Sequence, residues 1–244
     1  MLHPFARTEL LLGAAGLEKL ATAKVAVFGL GGVGSFAAEA LARSGIGHLV
    51  LVDHDRVSIT NLNRQLPATF STLGEFKVEV MKRRIADINP KAVVETFPVF
   101  YTPEKGGELL APGYDYIVDA VDTVSAKVDL IRRARELGIP IVSSMGAGNR
   151  LDPEKFQVAD ISATHTCPLA KVVRRELRRL GITRGVKVVF STEPPLKPAG
   201  RGEEGEGRRQ VPGSVAFVPP VAGMLLAGAV VRELLGLDPR TAGK

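Results

Sequence analysis

The amino-acid sequence predicts an α/β fold: a doubly wound, mostly parallel sheet of the Rossmann type, continued by a C-terminal strand and helix. Three observations carry that prediction. Short apolar segments alternate with longer segments of helical period over residues 24–144, the pattern of a parallel sheet covered on both faces. Gly29, Gly31, Gly32 and Gly34 fall between the first apolar segment and the first helical one. Asp53 ends the second apolar segment, where a carboxylate can accept hydrogen bonds from ribose hydroxyls.

The elements run in order along the chain. KVAVFGL (24–30) reads as a strand, 32–44 as a helix, and HLVLVD (48–53) as the second strand. A helix over 75–88 places Val78, Met81 and Ile85 on one face. Strands are predicted at 93–99, 116–121 and 139–144, with a helix over 126–137 closed by Gly138 and Pro140. Beyond Gly148 the alternation loosens, leaving a helix over 167–180 and a strand over 186–191. EPPLKPAGRGEEGEGRRQVPG (193–213) is rich in Pro, Gly and charge, can bury almost nothing, and is expected to be a mobile loop. Residues 214–231 carry no charge and approach the length of a membrane span. Pro219 and Pro220 fall inside that stretch, however, and fit a strand-to-helix junction. The apolar helix that remains, 221–235, suits a core or a subunit interface, so membrane association is not expected. The chain thus divides into a nucleotide-binding core over 1–165 and an extension of the same domain over 166–244.

Composition excludes several classes. The chain has 244 residues, 45% of them hydrophobic, enough for a full core. Lys plus Arg number 32 against 26 Asp plus Glu, a net charge of +6 that suits an anionic partner without demanding one. One cysteine allows neither a disulfide framework nor a zinc site of paired CxxC motifs. MLHPFARTELLLG offers no apolar run of secretory length, and a cytoplasmic location is expected.

The glycine loop alone serves NAD and ATP equally. The loop lets backbone N–H groups approach phosphate at the positive end of a helix. The residues after Asp53 separate the two nucleotides. DHDRVSITNLNRQL gathers Asp55, Asn61, Asn63, Arg64 and Gln65, and Lys77 comes near the start of the next helix. Two cations at the sheet edge suit a triphosphate and have no task in a nicotinamide dehydrogenase. VDAVDTVSAK adds Asp119 and Asp122 at the end of a third strand; Asp122 is placed to hold magnesium against the phosphates.

Taken together, these motifs resemble the ubiquitin-activating-enzyme-like superfamily, whose bacterial members adenylate a carboxylate with ATP. The shared pattern is the GxGGxG loop, the acidic strand end at Asp53, N-x-N-R-Q at Asn61, Asn63, Arg64 and Gln65, the K-V-E helix start at Lys77, and D-x-x-D ending in Asp122. The resemblance spans about residues 5–165. It implies that Arg7, in ARTELLLG, reaches the triphosphate in the neighbouring subunit of a homodimer. Segments 146–162 and PLAKVVRRELRR, with VFSTEPP beyond it, are most similar to the branch that dehydrates threonylcarbamoyladenosine in tRNA. That likeness implies a tRNA substrate, ATP and Mg2+ as cofactors, no zinc, and a sulphur-transfer protein as a candidate partner. The catalytic residues would be Arg7, Arg64, Lys77 and Asp122, and the nucleotide would be held by Gly29, Gly31, Gly32, Gly34, Asp53, Asp55, Asn61, Asn63, Arg64, Gln65, Lys77 and Asp122.

Three alternatives stay open on sequence. The sulphur-carrier branch adenylates the C-terminus of a small ubiquitin-like protein, and many of its members carry CxxC pairs that are lacking here. A dehydrogenase would leave Arg64 and Lys77 unused, and a silent adaptor would not turn over ATP. Cys167 precedes Pro168 at a helix start, where a thiolate is favoured, though one cysteine without an evident base is expected to be inert. Basic clusters at 83–91, 132–136 and 174–187 are candidates for following RNA phosphates.

Overall fold

The computed structural model describes residues 3–110, 113–200 and 212–237. The chain begins with helix α1 (Ala6–Thr22) and enters the sheet at β1 (Lys24–Phe28). It continues through α2 (Gly34–Arg43), β2 (His48–Val52), α3 (Lys77–Ile88), β3 (Val93–Phe97), the short α4 (Gly106–Leu109), β4 (Tyr116–Asp119), α5 (Val124–Glu136) and β5 (Ile141–Ser144). Then come β6 (Phe156–Asp160), α6 (Pro168–Arg179), β7 (Lys187–Ser191) and α7 (Pro219–Leu234).

The seven strands form one sheet in the order β3-β2-β1-β4-β5-β7-β6. All pairings are parallel except β6 with β7. Strands β1, β2 and β4 are almost wholly buried apolar runs, as a sheet covered on both faces requires. Successive side chains feed two cores. Val25 and Val27 pack with Leu41 of α2, Met81 of α3 and Leu226 of α7. Ala26 and Phe28 pack with Leu130 of α5 and Val173 of α6. The strand order reverses between β1 and β4, so a crevice opens beyond their C-terminal ends.

Three features differ from expectation. Helix α1 is not evident from the sequence because Gly13, at φ 70°, kinks it in the middle. Strand β6 has no counterpart in the sequence pattern; it lies antiparallel at the sheet edge, where the βαβ rhythm no longer signals it. The strand-to-helix junction at the proline pair is absent. Residues 214–218 form no strand, and α7 begins at Pro219 itself, where the missing N–H costs no hydrogen bond.

Helix α7 is core, not a span. Gly223 sits so close to α2 that a β-carbon there would lie 3.0 Å from the Ala37 nitrogen. No helix among the described residues is long and apolar enough to cross a membrane. Of the predicted loop over 193–213, residues 201–211 lie outside the described residues. Its two flanks are pinned to one residue: Leu196 N–H donates to the Asn149 carbonyl at 2.8 Å, and Gly213 N–H to Asn149 Oδ1 at 2.6 Å.

Candidate functional site: a nucleotide cleft at the sheet's switch point

The crevice beyond β1 and β4 is lined by Gly29, Gly31, Gly32, Asp53, Arg64, Gln65, Lys77 and Asp122 among others. Its floor is the glycine loop. Gly29 has φ 88°, and a β-carbon there would meet the Ala120 carbonyl oxygen at 2.7 Å, so the turn admits no side chain. Gly34 opens α2 directly against the Gly29 carbonyl, with no room for a β-carbon. Of the first N–H groups of α2, Ser35 and Ala37 donate back to the Gly31 and Val33 carbonyls at 3.1 Å each, so the positive end of the helix is built onto the loop that lines the crevice.

Asp53 is fixed by backbone N–H groups of the glycine loop and of its own strand end. Its Oδ2 accepts the Leu30 N–H at 2.6 Å and its Oδ1 the Asp55 N–H at 2.7 Å. Burial pushes its carboxyl above the usual range, although Lys77 and the two N–H groups pull the other way. Each oxygen keeps a lone pair for a hydroxyl.

The cations stand opposite. Arg64 is half-buried, donates to the Thr60 carbonyl and Asn63 Oδ1 at 2.9 Å each, and pairs with no carboxylate among the described residues. Burial lowers its pKa, so its uncompensated charge favours an incoming anion. Lys77 is 3% exposed, with its Nζ on Asp55 Oδ2 at 2.7 Å. Gln65, which lines the cleft, has a buried Oε1 that no donor among the described residues satisfies. At the mouth Asp122 is exposed, touched only by the Thr123 hydroxyl at 3.4 Å among the described residues. Its oxygens are therefore open to a hard cation. Asp53, His54 and Asp55 also cluster with ligand atoms within 4.8 Å, but Asp53 is committed to backbone and Asp55 to Lys77.

Several predicted contact residues stand back from the cleft. Gly34 shapes the loop from beneath. Asn61 is consumed by a cap, its Oδ1 accepting the Ser58 N–H at 3.2 Å. Asn63 donates to the Ser214 carbonyl at 2.9 Å and holds Arg64, joining this loop to the segment before α7. Asp55, by contrast, does line the cleft, where it is the counter-ion of Lys77. Arg7, exposed on α1, does not line the cleft of its own chain.

Sequence reasoning missed one wall and one support. Val99, Phe100 and Tyr101 form an apolar side of the cleft, with the His54 ring edge-on to Phe100 at 4.6 Å. The run FPVFY after β3 was the available signal. The support is Lys127, whose Nζ lies 3.0 Å from both oxygens of Asp119, at exposures of 1% and 0%. Ser143 donates to Asp119 at 2.5 Å, and Asp119 accepts the Val121 N–H at 3.1 Å, fixing the turn that carries Asp122. Cys167 is buried, N-terminal to α6, and outside the cleft.

The arrangement suits a nucleoside polyphosphate: a carboxylate for hydroxyls, an apolar wall, a helix N-terminus, two cations and an exposed carboxylate. Comparison with known proteins agrees. The chain is 52% identical over 243 residues to the tRNA threonylcarbamoyladenosine dehydratase of Bacillus subtilis, covering 96% of each. Crystal structures of the Escherichia coli enzyme, TcdA, are similar at TM-scores of 0.88 with AMP and 0.87 with ATP. The AMP complex is 37% identical, covering 96% of this chain and 94% of that one; the ATP complex is 36% identical, covering 97% and 96%. A sulfur carrier protein adenylyltransferase of Thermus thermophilus is 32% identical, covering 95% of this chain and 76% of its own. The ThiF family pattern matches residues 5–244, and the chain belongs to the ThiF family.

Proposed function

We propose that the protein is an ATP-dependent tRNA threonylcarbamoyladenosine dehydratase. The carboxylate of the threonyl group attacks the α-phosphorus of ATP, and pyrophosphate leaves. An internal X–H nucleophile of the same modified base then attacks the activated carbonyl and releases its proton to solvent. The ring closes and AMP departs with the carboxylate oxygen. Water is thus lost from the base without free hydroxide ever leaving, and the tethered nucleophile supplies a high effective concentration.

The residues divide this work. Asp53 receives the ribose hydroxyls and Gln65 satisfies its Oε1 on the nucleotide. The Phe100 wall covers the base and excludes water. The N-terminus of α2 receives phosphate, and Arg64 with Lys77 offsets the charge gathering on the leaving pyrophosphate. Asp122 would hold a magnesium ion, which when bound neutralises phosphate charge. Arg7 acts in the partner subunit of a homodimer. In support, Arg7, Leu10 and Leu11 share one face of α1, and Leu10 and Leu11 are 85% and 87% exposed. The protein works in the cytoplasm, where its tRNA is.

The observation that carries the substrate assignment is the 52% identity to a dehydratase, against 32% to a sulphur-carrier enzyme. The test is to incubate pure protein with ATP, magnesium and tRNA carrying or lacking threonylcarbamoyladenosine, then digest and weigh the nucleosides. The modified nucleoside alone should lose one water, with AMP and pyrophosphate formed. An unchanged nucleoside, with ATP consumed only when a ubiquitin-like protein is added, would move the assignment to sulphur-carrier adenylation.

A further inference from the structure

The sequence offers three basic clusters as RNA-facing candidates, and the structure separates them. In the first, Arg83 is paired with Glu75 at 2.6 Å, and Arg84 grips Glu39 through two bonds of 2.6 and 3.1 Å. In the second, Arg132 is shared between Asp129 and Glu136 at 2.7 Å each, and Arg133 holds Asp129 at 2.9 Å. Arg135 is spent on the Gly185 carbonyl at 3.0 Å. Most arginines of these two clusters are thus engaged in pairs, Arg84 with the buried Glu39 and Arg132 and Arg133 with the buried Asp129, while the Arg83 pair lies at the surface.

The third cluster is different. Helix α6 buries Ala170, Val173 and Leu177 and turns Lys171, Arg175, Arg178 and Arg179 outward. Among the described residues the only acid on that face is Glu176, shared by Arg175 and Arg179 at 2.9 and 2.7 Å. Lys171, Arg178 and Arg184 make no ion pair among the described residues. Arg175 and Arg179 are 64% and 68% exposed, so both can turn from Glu176 to a phosphate. Lys171, Arg175 and Arg178 rise along the helix in steps of about 6 and 4.5 Å, a row that a sugar–phosphate backbone can follow.

Position favours the same helix. A β-carbon on Gly146, just after β5, would lie 3.6 Å from Cys167 Sγ at the head of α6. The basic helix therefore starts at the C-terminal end of β5, the strand next to β4, and it packs beside α5, which opens next to Asp122.

We propose that the outward face of α6, with Arg184 beyond it, is the docking surface for the phosphate backbone of the tRNA whose modified base enters the cleft. The inference rests on the dehydratase reading, and a single experiment separates the two. The variant Lys171→Gln/Arg175→Gln/Arg178→Gln/Arg179→Gln is compared with wild type and with Lys19→Gln/Lys82→Gln/Lys91→Gln/Lys105→Gln, which removes equal charge elsewhere. Binding of tRNA carrying threonylcarbamoyladenosine is followed by fluorescence anisotropy across a salt series, alongside ATP affinity and turnover.

The α6 variant should bind tRNA at least tenfold more weakly at low salt. Its loss of affinity between 50 and 200 mM salt should be smaller than the wild type's by roughly a hundredfold, for four lost phosphate contacts. KM for tRNA should rise while ATP affinity and kcat at saturating tRNA stay put, and the control variant should match wild type. Equal weakening of both variants, or an unchanged salt dependence in the α6 variant, would overturn the docking surface alone. Wild type that leaves modified tRNA unconverted would overturn the dehydratase reading and this one with it.

Discussion

Lys127 and Asp119 offer the sharpest perturbation, because both are sealed from solvent and each is the other's only opposite charge in reach among the described residues. Lys127→Met removes the ammonium and leaves a carboxylate in the core with Ser143 Oγ–H and the Val121 N–H as its remaining donors. Breaking one side of a buried pair costs about 3–5 kcal/mol, since the surviving charge has no water to turn to. In a chain of 244 residues that corresponds to a fall of about 6–20 °C in Tm. Asp119→Asn in the same chain removes the stranded charge and keeps an acceptor for Val121, so the double variant should recover most of the loss. The assay is chemical denaturation of wild type, both single variants and the double. ATP affinity should fall in folded Lys127→Met, because Asp119 anchors the turn carrying Asp122. A Lys127→Met protein within about 1 kcal/mol of wild type, or a double variant no better than the worse single, would refute the reasoning.

Other expectations concern acid, cysteine and the shared site. Burial pushes the Asp129 carboxyl up, but hydrogen bonds from Arg132, Tyr101 and Arg133 together outweigh it and hold the group below its ordinary value. A depressed folded pKa means its contribution is present above the unfolded value and lost as pH falls through the folded one. Asp129→Asn should therefore cost about 1.5–3 kcal/mol at neutral pH, with the gap to wild type closing toward acid; a gap constant with pH would count against it. Cys167→Ser should retain most activity, since the thiol is buried away from the cleft, and a loss beyond about a hundredfold would reinstate a covalent role. Arg7→Ala and Asp122→Ala should each be inactive, yet mixing them with subunit exchange should restore roughly a quarter of wild-type activity. No recovery, with exchange verified by labelled subunits, would place Arg7 in its own subunit's site or in none.

The sequence discloses the part of the fold that repeats. β1, β2 and β4 read clearly because a strand buried on both faces is almost wholly apolar, and α3 because Val78, Met81 and Ile85 keep helical period. The glycine loop was legible because its backbone leaves no space for any other residue at Gly29 and Gly34. Illegible elements owe their form to tertiary partners. Strand β6 exists because β7 offers it an edge, and α1 continues across a kinked glycine by packing Leu20 into the core. Residue type did not reveal the division of labour in N-x-N-R-Q. Asn61 and Asn63 carry the same side chain as any ligand contact, and only the fold shows them capping and bracing Arg64. Likewise Lys127 looks like a surface lysine of α5 until the helix turns it onto Asp119.

The central claim is that the tRNA carboxylate is activated as an acyl-adenylate and that its oxygen leaves on AMP. The direct measurement uses tRNA whose threonyl carboxylate carries oxygen-18, converted by the enzyme with unlabelled ATP, with the products then weighed by mass spectrometry. The account predicts AMP heavier by one labelled oxygen, unlabelled pyrophosphate, and a cyclised base retaining the other. Unlabelled AMP, or ADP together with labelled phosphate, would contradict it.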